Sequence, residues 1–190
     1  MKKAVSWRGL ACVALVLVAP AALANRYTDT IALFRHAGQT ADFFKTSYGY
    51  AVFPTIGKGG FFVGAAHGDG RVYRRGRYIG TTSMTQVSIG FQFGGQAYSE
   101  MVFFRDPAAL KRFESGKFAL SADVSAVALT ASASASAGTA GTEAGASGTA
   151  THATATGHYQ NGVAVFTIAK GGLMYQAAVA GQKFSFTPAH

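Results

Sequence analysis

"YGYAVFPTIGKGG" fills residues 48–60 and "NGVAVFTIAKGG" fills residues 161–172, so one phrase is written twice, more than a hundred residues apart. Thr55-Ile56-Gly57-Lys58-Gly59-Gly60 aligns without a gap on Thr167-Ile168-Ala169-Lys170-Gly171-Gly172, and Ala65-Ala66 aligns on Ala177-Ala178. Internal repeats of 20 to 50 residues would indicate a solenoid or propeller. Two distant copies instead predict two similar strand-turn-strand units, one near each end of a β region, lying side by side or closing a sheet with approximate two-fold symmetry. In that reading Gly59, Gly60, Gly171 and Gly172 are structural turns that supply positive φ or close backbone approach.

The chain between the copies carries the same signal. Apolar residues alternate at Val87, Ile89, Phe91 and Phe93 against Gln86, Ser88, Gly90 and Gln92, the pattern of a half-buried strand. "HGDG" at 67–70, "RRGR" at 74–77 and "FGGQ" at 93–96 are turn sequences between short β-rich segments, which predicts an antiparallel meander. "DPAALKRFESG" from Asp106 joins an Asp cap, a Pro at the first helical position and a Gly terminator, a short connector helix to about Ser115. Upstream, Ile31, Phe34, Ala37, Ala41 and Phe44 recur every three or four residues, predicting one amphipathic helix over 28–45. The fold class is therefore mainly β (α+β): a curved antiparallel sheet or barrel-like β domain with an N-terminal amphipathic helix and one connector helix.

Lys2, Lys3 and Arg8 precede an apolar run from Leu10 to Val18, and Ala22-Leu23-Ala24 offers a small-x-small cleavage site. Residues 1–24 read as a signal peptide, which predicts export to the periplasm, outer envelope or extracellular space. The apolar run is about half the roughly 20 residues of a spanning helix, so the mature chain is expected to have no transmembrane span. Cys12 lies inside this run rather than after it, which argues against a lipidated cysteine, and no cysteine remains after cleavage. Stability must come from a packed core rather than disulfides. Residues 25–190 are of single-domain length, with 15 Phe and 8 Tyr in the chain to fill the core. The stretch at about 138–157 is almost entirely Ala, Ser, Thr and Gly and reads as a flexible loop.

"YGYAVFPTIGKGGFFVGAAHGDGRVY", "TTSMTQVSIGFQFGGQAYSEMVFF" and "VAVFTIAKGGLMYQAAVAGQKF" together resemble the SYLF domain family, over about Thr30 to Pro188. Its eukaryotic members bind phosphoinositides and, in yeast, actin. The resemblance implies a non-enzymatic lipid-binding module in which an N-terminal amphipathic helix and basic residues meet the membrane. An exported chain would meet neither cytoplasmic phosphoinositides nor actin, so anionic phospholipid or another envelope lipid is the expected substitute.

Removing the three leader cations takes the formal charge from +9 to +6, and Arg71, Arg74, Arg75 and Arg77 cluster within seven residues. Each Lys or Arg near an anionic surface contributes about 1 kcal/mol, so the cluster needs a second, apolar signal. Ile31, Phe34, Phe43 and Phe44 on the helix, or Phe61 and Phe62 beside the first glycine pair, are the insertion candidates. Lys58 and Lys170 complete the expected lipid-binding set. "GKGG" lacks the Ser or Thr and the helix that a phosphate-binding P-loop requires, though its amides could form a phosphate nest. Catalysis is disfavoured: there is no G-x-S-x-G elbow, and His36, His67, His152, His158 and His190 lack the pairing of a metal motif, so neither cofactor nor metal is expected. "RVYRRGRY" interleaves Arg with Tyr as single-strand nucleic-acid binders do, but the leader argues against a nucleic-acid partner. The alternative function is an envelope structural or protein-interaction module without specific lipid binding.

Overall fold

The computed structural model describes residues 19–60, 63–89, 96–120, 126–129, 157–170 and 181–189. The repeated glycines Gly171 and Gly172, the candidates Phe61 and Phe62, all but Gln96 of the turn expected at 93–96 and nearly all of the 138–157 loop lie outside them, as do residues 1–18.

Among the described residues, eight strands form one curled sheet, a half-barrel: β1 (Gly49–Gly60), β2 (Val63–Arg74), β3 (Arg77–Ile89), β4 (Gln96–Phe104), β5 (Phe118–Ala119), β6 (Ala126–Leu129), β7 (Val163–Lys170) and β8 (Lys183–Pro188), in the spatial order β5-β8-β3-β2-β1-β4-β7-β6. β1, β2 and β3 form the expected meander, but β4 returns to the far side of β1 instead of extending it. Among these described strands every pairing is antiparallel except β6 with β7.

The repeated phrase falls on β1 and β7, which flank β4 on opposite sides and run parallel to each other. The first copy runs into β2 as an antiparallel pair, the expected strand-turn-strand unit, while the residues after Lys170 in the second copy lie outside the described ones. Glu100 of β4 is level with Phe53 on one side and Thr167 on the other, although the sequence counterpart of Phe53 is Phe166. The copies are thus slipped by one residue, and because strand side chains alternate, that slip turns each counterpart to the opposite face. Phe53 and Ile56 enter the inner core while Phe166 and Ile168 enter the outer one. Pro54 has no counterpart in the second copy. It falls within a bulge where β1 spends one residue more than either neighbour, between Phe53 and Ile56, whereas the β4–β7 register is continuous. A bulge is one of the few places a sheet interior accepts proline.

The inner face carries Ala51, Phe53, Ile56, Val72, Met84, Val102, Phe104 and Phe184, closed at one end by α3 (Pro107–Glu114) through Ala109, Leu110 and Phe113. Phe113 lies 4.8 Å from Phe104 and 5.3 Å from Phe184, ring centroid to centroid, which fills the mouth with offset aromatic pairs. The connector helix is built as its sequence predicts: the Asp106 carboxylate accepts from the Ala109 N–H at 2.9 Å, Pro107 opens it, and Gly116 at φ 68° ends it. "HGDG" is not a turn but part of β2. Gly68 and Gly70 face inward, where a Cβ on Gly70 would lie 2.6 Å from the Phe53 ring and one on Gly68 equally close to the Ile56 side chain, so these glycines make room for core packing.

The outer face of β1, β4 and β7 is covered by α1 (Ala19–His36), a 3-10 turn (Gly38–Thr40) and α2 (Ala41–Thr46). The expected single helix over 28–45 is therefore interrupted at Ala37, where the Thr40 hydroxyl turns back onto the Phe34 and Ala37 carbonyls. The strand expected around Val87 has its faces reversed: Gln86 is buried and Val87 is 72% exposed. Inward-facing Gly80, Thr82 and Met84 fix the phase of β3, and Gln86 follows them.

Candidate functional site

The arginine cluster lies at the β2–β3 hairpin. Arg74 pairs with Arg77, and Arg75 and Gly76 form the two-residue turn between them with φ of 50° and 79°, the positive pair of a type I′ hairpin. Arg74, Arg75 and Arg77 are exposed. Arg71 is different. Half-buried, it places its guanidinium 4.3 Å from the Tyr27 ring centroid and 5.5 Å from that of Tyr78, so it clamps α1 to the sheet.

Main-chain bonds gather further segments to the hairpin's end of the barrel. Tyr48 donates its N–H to the Phe104 carbonyl and accepts from the Arg75 N–H, while the Arg105 N–H reaches the Gly162 carbonyl. Arg112 donates to the Asn161 carbonyl at 2.6 Å. Lys45, Arg105, Lys111 and Arg112 thereby join the hairpin cations, all exposed. The nearby acids are partly spent: Asp42 pairs with Lys45 and Asp106 with Arg105, each at 3.2 Å. The Ala109 N–H first, then Arg105, hold the Asp106 carboxyl below the usual carboxylate range. Beside this end, Ala108, Lys111, Arg112, Ser115, Lys117, Phe118 and Ala119 line a groove of about 850 Å³. Spacing in sequence could not find these additional cations, because topology alone assembles them. The only linear trace is the basic exposed face of "LKRF" in the connector helix.

The other expected residues do not join this cluster. Lys58 sits nine residues along β1 from Gly49, the partner of Arg74, which at about 3.3 Å per residue places it roughly 30 Å away. Lys58 and Lys170 are level with neighbouring β4 residues, Gln96 and Ala97, at that far end, but they leave opposite faces of the sheet. Phe34 is wholly buried against Ala37 and the outer strands, and is core rather than an insertion residue. Phe44 is half-buried, edge-on to Phe103 at 5.0 Å and beneath the Arg35 guanidinium at 5.1 Å. Tyr78, 39% exposed beside Arg77, is the large apolar side chain that the hairpin does present. Gly59 lies within strand β1 without positive φ, and a Cβ there would meet open space, so it is no structural turn; Gly60 pairs with Gly64 at the end of the ladder. No helix among the described residues is long and apolar enough to cross a membrane.

Residues 85–188, more than half of the chain, match the family model Ysc84, described as Las17-binding protein actin regulator. Comparison with curated proteins finds no match.

Proposed function

The chain belongs to the Ysc84 (SYLF domain) family, and from that premise we propose that it binds anionic phospholipid, end-on, through the basic end of its half-barrel. SYLF domains are associated with lipid binding and actin regulation and are known as binding domains rather than enzymes. With the export expected from residues 1–24, the surface bound is an envelope membrane. The observation that carries the reading is the gathering of Arg74, Arg75, Arg77, Lys111 and Arg112, exposed and without a carboxylate at salt-bridge distance among the described residues. At about 1 kcal/mol each they supply roughly 5 kcal/mol, on the order of a few hundred micromolar. Tyr78 beside them supplies an apolar contact as the second signal.

The test is co-sedimentation of the Arg74→Gln/Arg75→Gln/Arg77→Gln variant with phosphatidylglycerol vesicles. Arg71 stays, because it holds α1. Three lost cations should weaken binding by about 3 kcal/mol, on the order of a hundredfold, with an unchanged melting temperature and a marked salt dependence in the parent. A variant that pellets as well as the parent overturns the proposal. A parent left in the supernatant by every anionic vesicle favours the protein-interaction reading, which the family's description as a Las17-binding protein also supports.

A further inference from the structure

On the helix-covered face, away from the hairpin, two cations converge on one neutral oxygen. The Thr55 hydroxyl accepts from Lys170 Nζ at 2.8 Å and from Arg26 Nη2 at 3.2 Å. The three come from separate places, α1, the β1 bulge and the end of β7, with 115 residues between Lys170 and Thr55. Beside them Arg26, Tyr27, Pro54, Thr55 and Asp69 line a polar pocket of about 130 Å³. We propose that this pocket is a phosphate site, taking either inorganic phosphate or the phosphodiester of a lipid headgroup.

The chemistry follows from the donor inventory. A hydroxyl oxygen that already accepts twice cannot neutralise two positive charges, and its own hydrogen remains to be donated outward. Ammonium, guanidinium and hydroxyl are the donor types that bind phosphate oxygens most strongly. Arg71, stacked on Tyr27, adds a third nearby cation. Asp69 is the acid in the lining, 3.7 Å from His67 Nε2, a contact that becomes an ion pair when the imidazole is protonated. Lys170 is also held below the usual ammonium range, by loss of surrounding water first and by Arg26 second, so it sits in an environment that an incoming anion would relieve. The bulge makes the arrangement: the extra residue in β1 brings Thr55 out beside Lys170, two strands away, while the Pro54 carbonyl is tied back by the Ser99 hydroxyl at 2.8 Å.

Calorimetric titration of the full chain with inorganic phosphate and with glycerophosphoglycerol, the deacylated headgroup of phosphatidylglycerol, tests the proposal. Binding of at least one is expected, weakened about tenfold or more in Lys170→Met and in Arg26→Gln, and largely retained in Thr55→Ser, which keeps the hydroxyl. Tighter binding of glycerophosphoglycerol assigns a lipid headgroup; tighter inorganic phosphate assigns the free ion. No binding of either by the parent, or equal binding by folded Lys170→Met and Arg26→Gln variants, overturns the site. The hairpin variant should bind these probes as the parent does, which separates this site from the vesicle-binding end.

Discussion

β1 and β7 carry nearly the same words and do opposite things with them. In β1 the sequence Phe-Pro-Thr-Ile sends Phe53 and Ile56 inward, with Thr55 reaching two cations at the pocket; in β7 the sequence Phe-Thr-Ile sends Phe166 and Ile168 outward, with Thr167 buried. Both strands read against the same neighbour, β4, so the difference is one of register alone. Repetition in a strand sequence specifies a pleated, apolar segment, but the face each residue meets is set by pairing. The bulge in β1 keeps the inversion constant past Pro54.

Deleting Pro54 together with Thr55 is the most severe way to break the comparison. It leaves Phe53 and Ile56 adjacent and puts the halves of β1 out of phase, so that either Tyr50 to Phe53 or Ile56 onward must exchange faces. Burying Phe53 or Ile56 is worth about 2 to 3 kcal/mol each, against a typical total of 5–15 kcal/mol. The expected outcome is loss of the cooperative thermal transition followed by circular dichroism. Deleting Pro54 alone makes the two phrases continuous copies and leaves Phe53 and Ile56 both inward, level with Glu100 and Tyr98, so that variant keeps a cooperative transition. A double deletion melting with the parent's midpoint would show that alternation does not set the phase.

The second test concerns the residue between the two copies. Glu100 is wholly buried, level with Phe53 and Thr167; its Oε2 accepts from Gln182 Nε2 at 2.9 Å, and its other oxygen has no hydrogen-bond partner among the described residues. Burial pushes its carboxyl up to about 8, with the Gln182 hydrogen bond opposing. Between its ordinary value and 8 the unfolded chain is ionised while the folded chain holds the proton. Stability therefore falls as pH rises through that window. Glu100→Gln removes the penalty, an effect of about 3 kcal/mol at pH 7 taken at about 1.4 kcal/mol per pH unit, and should flatten the midpoint between pH 5 and 8. Equal pH slopes in parent and variant would refute it.

The legible part of this fold was local. Asp106, Pro107 and the terminating glycine fixed the connector helix because capping acts within a few residues, and Arg75-Gly76 was readable as a turn because the pair needs positive φ. What was not legible depended on partners distant in sequence. Gly68 and Gly70 resemble turn glycines, but their roles are set by Ile56 and Phe53 across the sheet. Gln86 and Val87 exchange their expected faces because "TTSMT" before them has too little apolar contrast to announce its phase. Of the candidate site, the hairpin arginines were legible as a charge run. Lys45, Arg105, Lys111 and Arg112 were not, since backbone bonds among Tyr48, Phe104, Arg105 and Gly162 bring their segments together.

The smallest effect is expected where the repeat looked most informative. Gly59 belongs to the Lys-Gly-Gly shared by both copies, and a geometric need for glycine would make Gly59→Val strongly destabilising. The backbone there is extended, pairs with Ala65 and leaves a Cβ nothing to strike. Valine also suits a strand better than glycine does, on a scale spanning about 1 kcal/mol. Gly59→Val should thus change stability by no more than about 0.5 kcal/mol, either way. Gly70→Val supplies the contrast, since its Cβ would run into Phe53 and the Thr82 methyl, an overpacking that costs about 1 to 3 kcal/mol. Thermal melts of the two variants decide the matter: a drop at Gly59 equal to that at Gly70 would mean that the repeated glycine is required by the backbone after all.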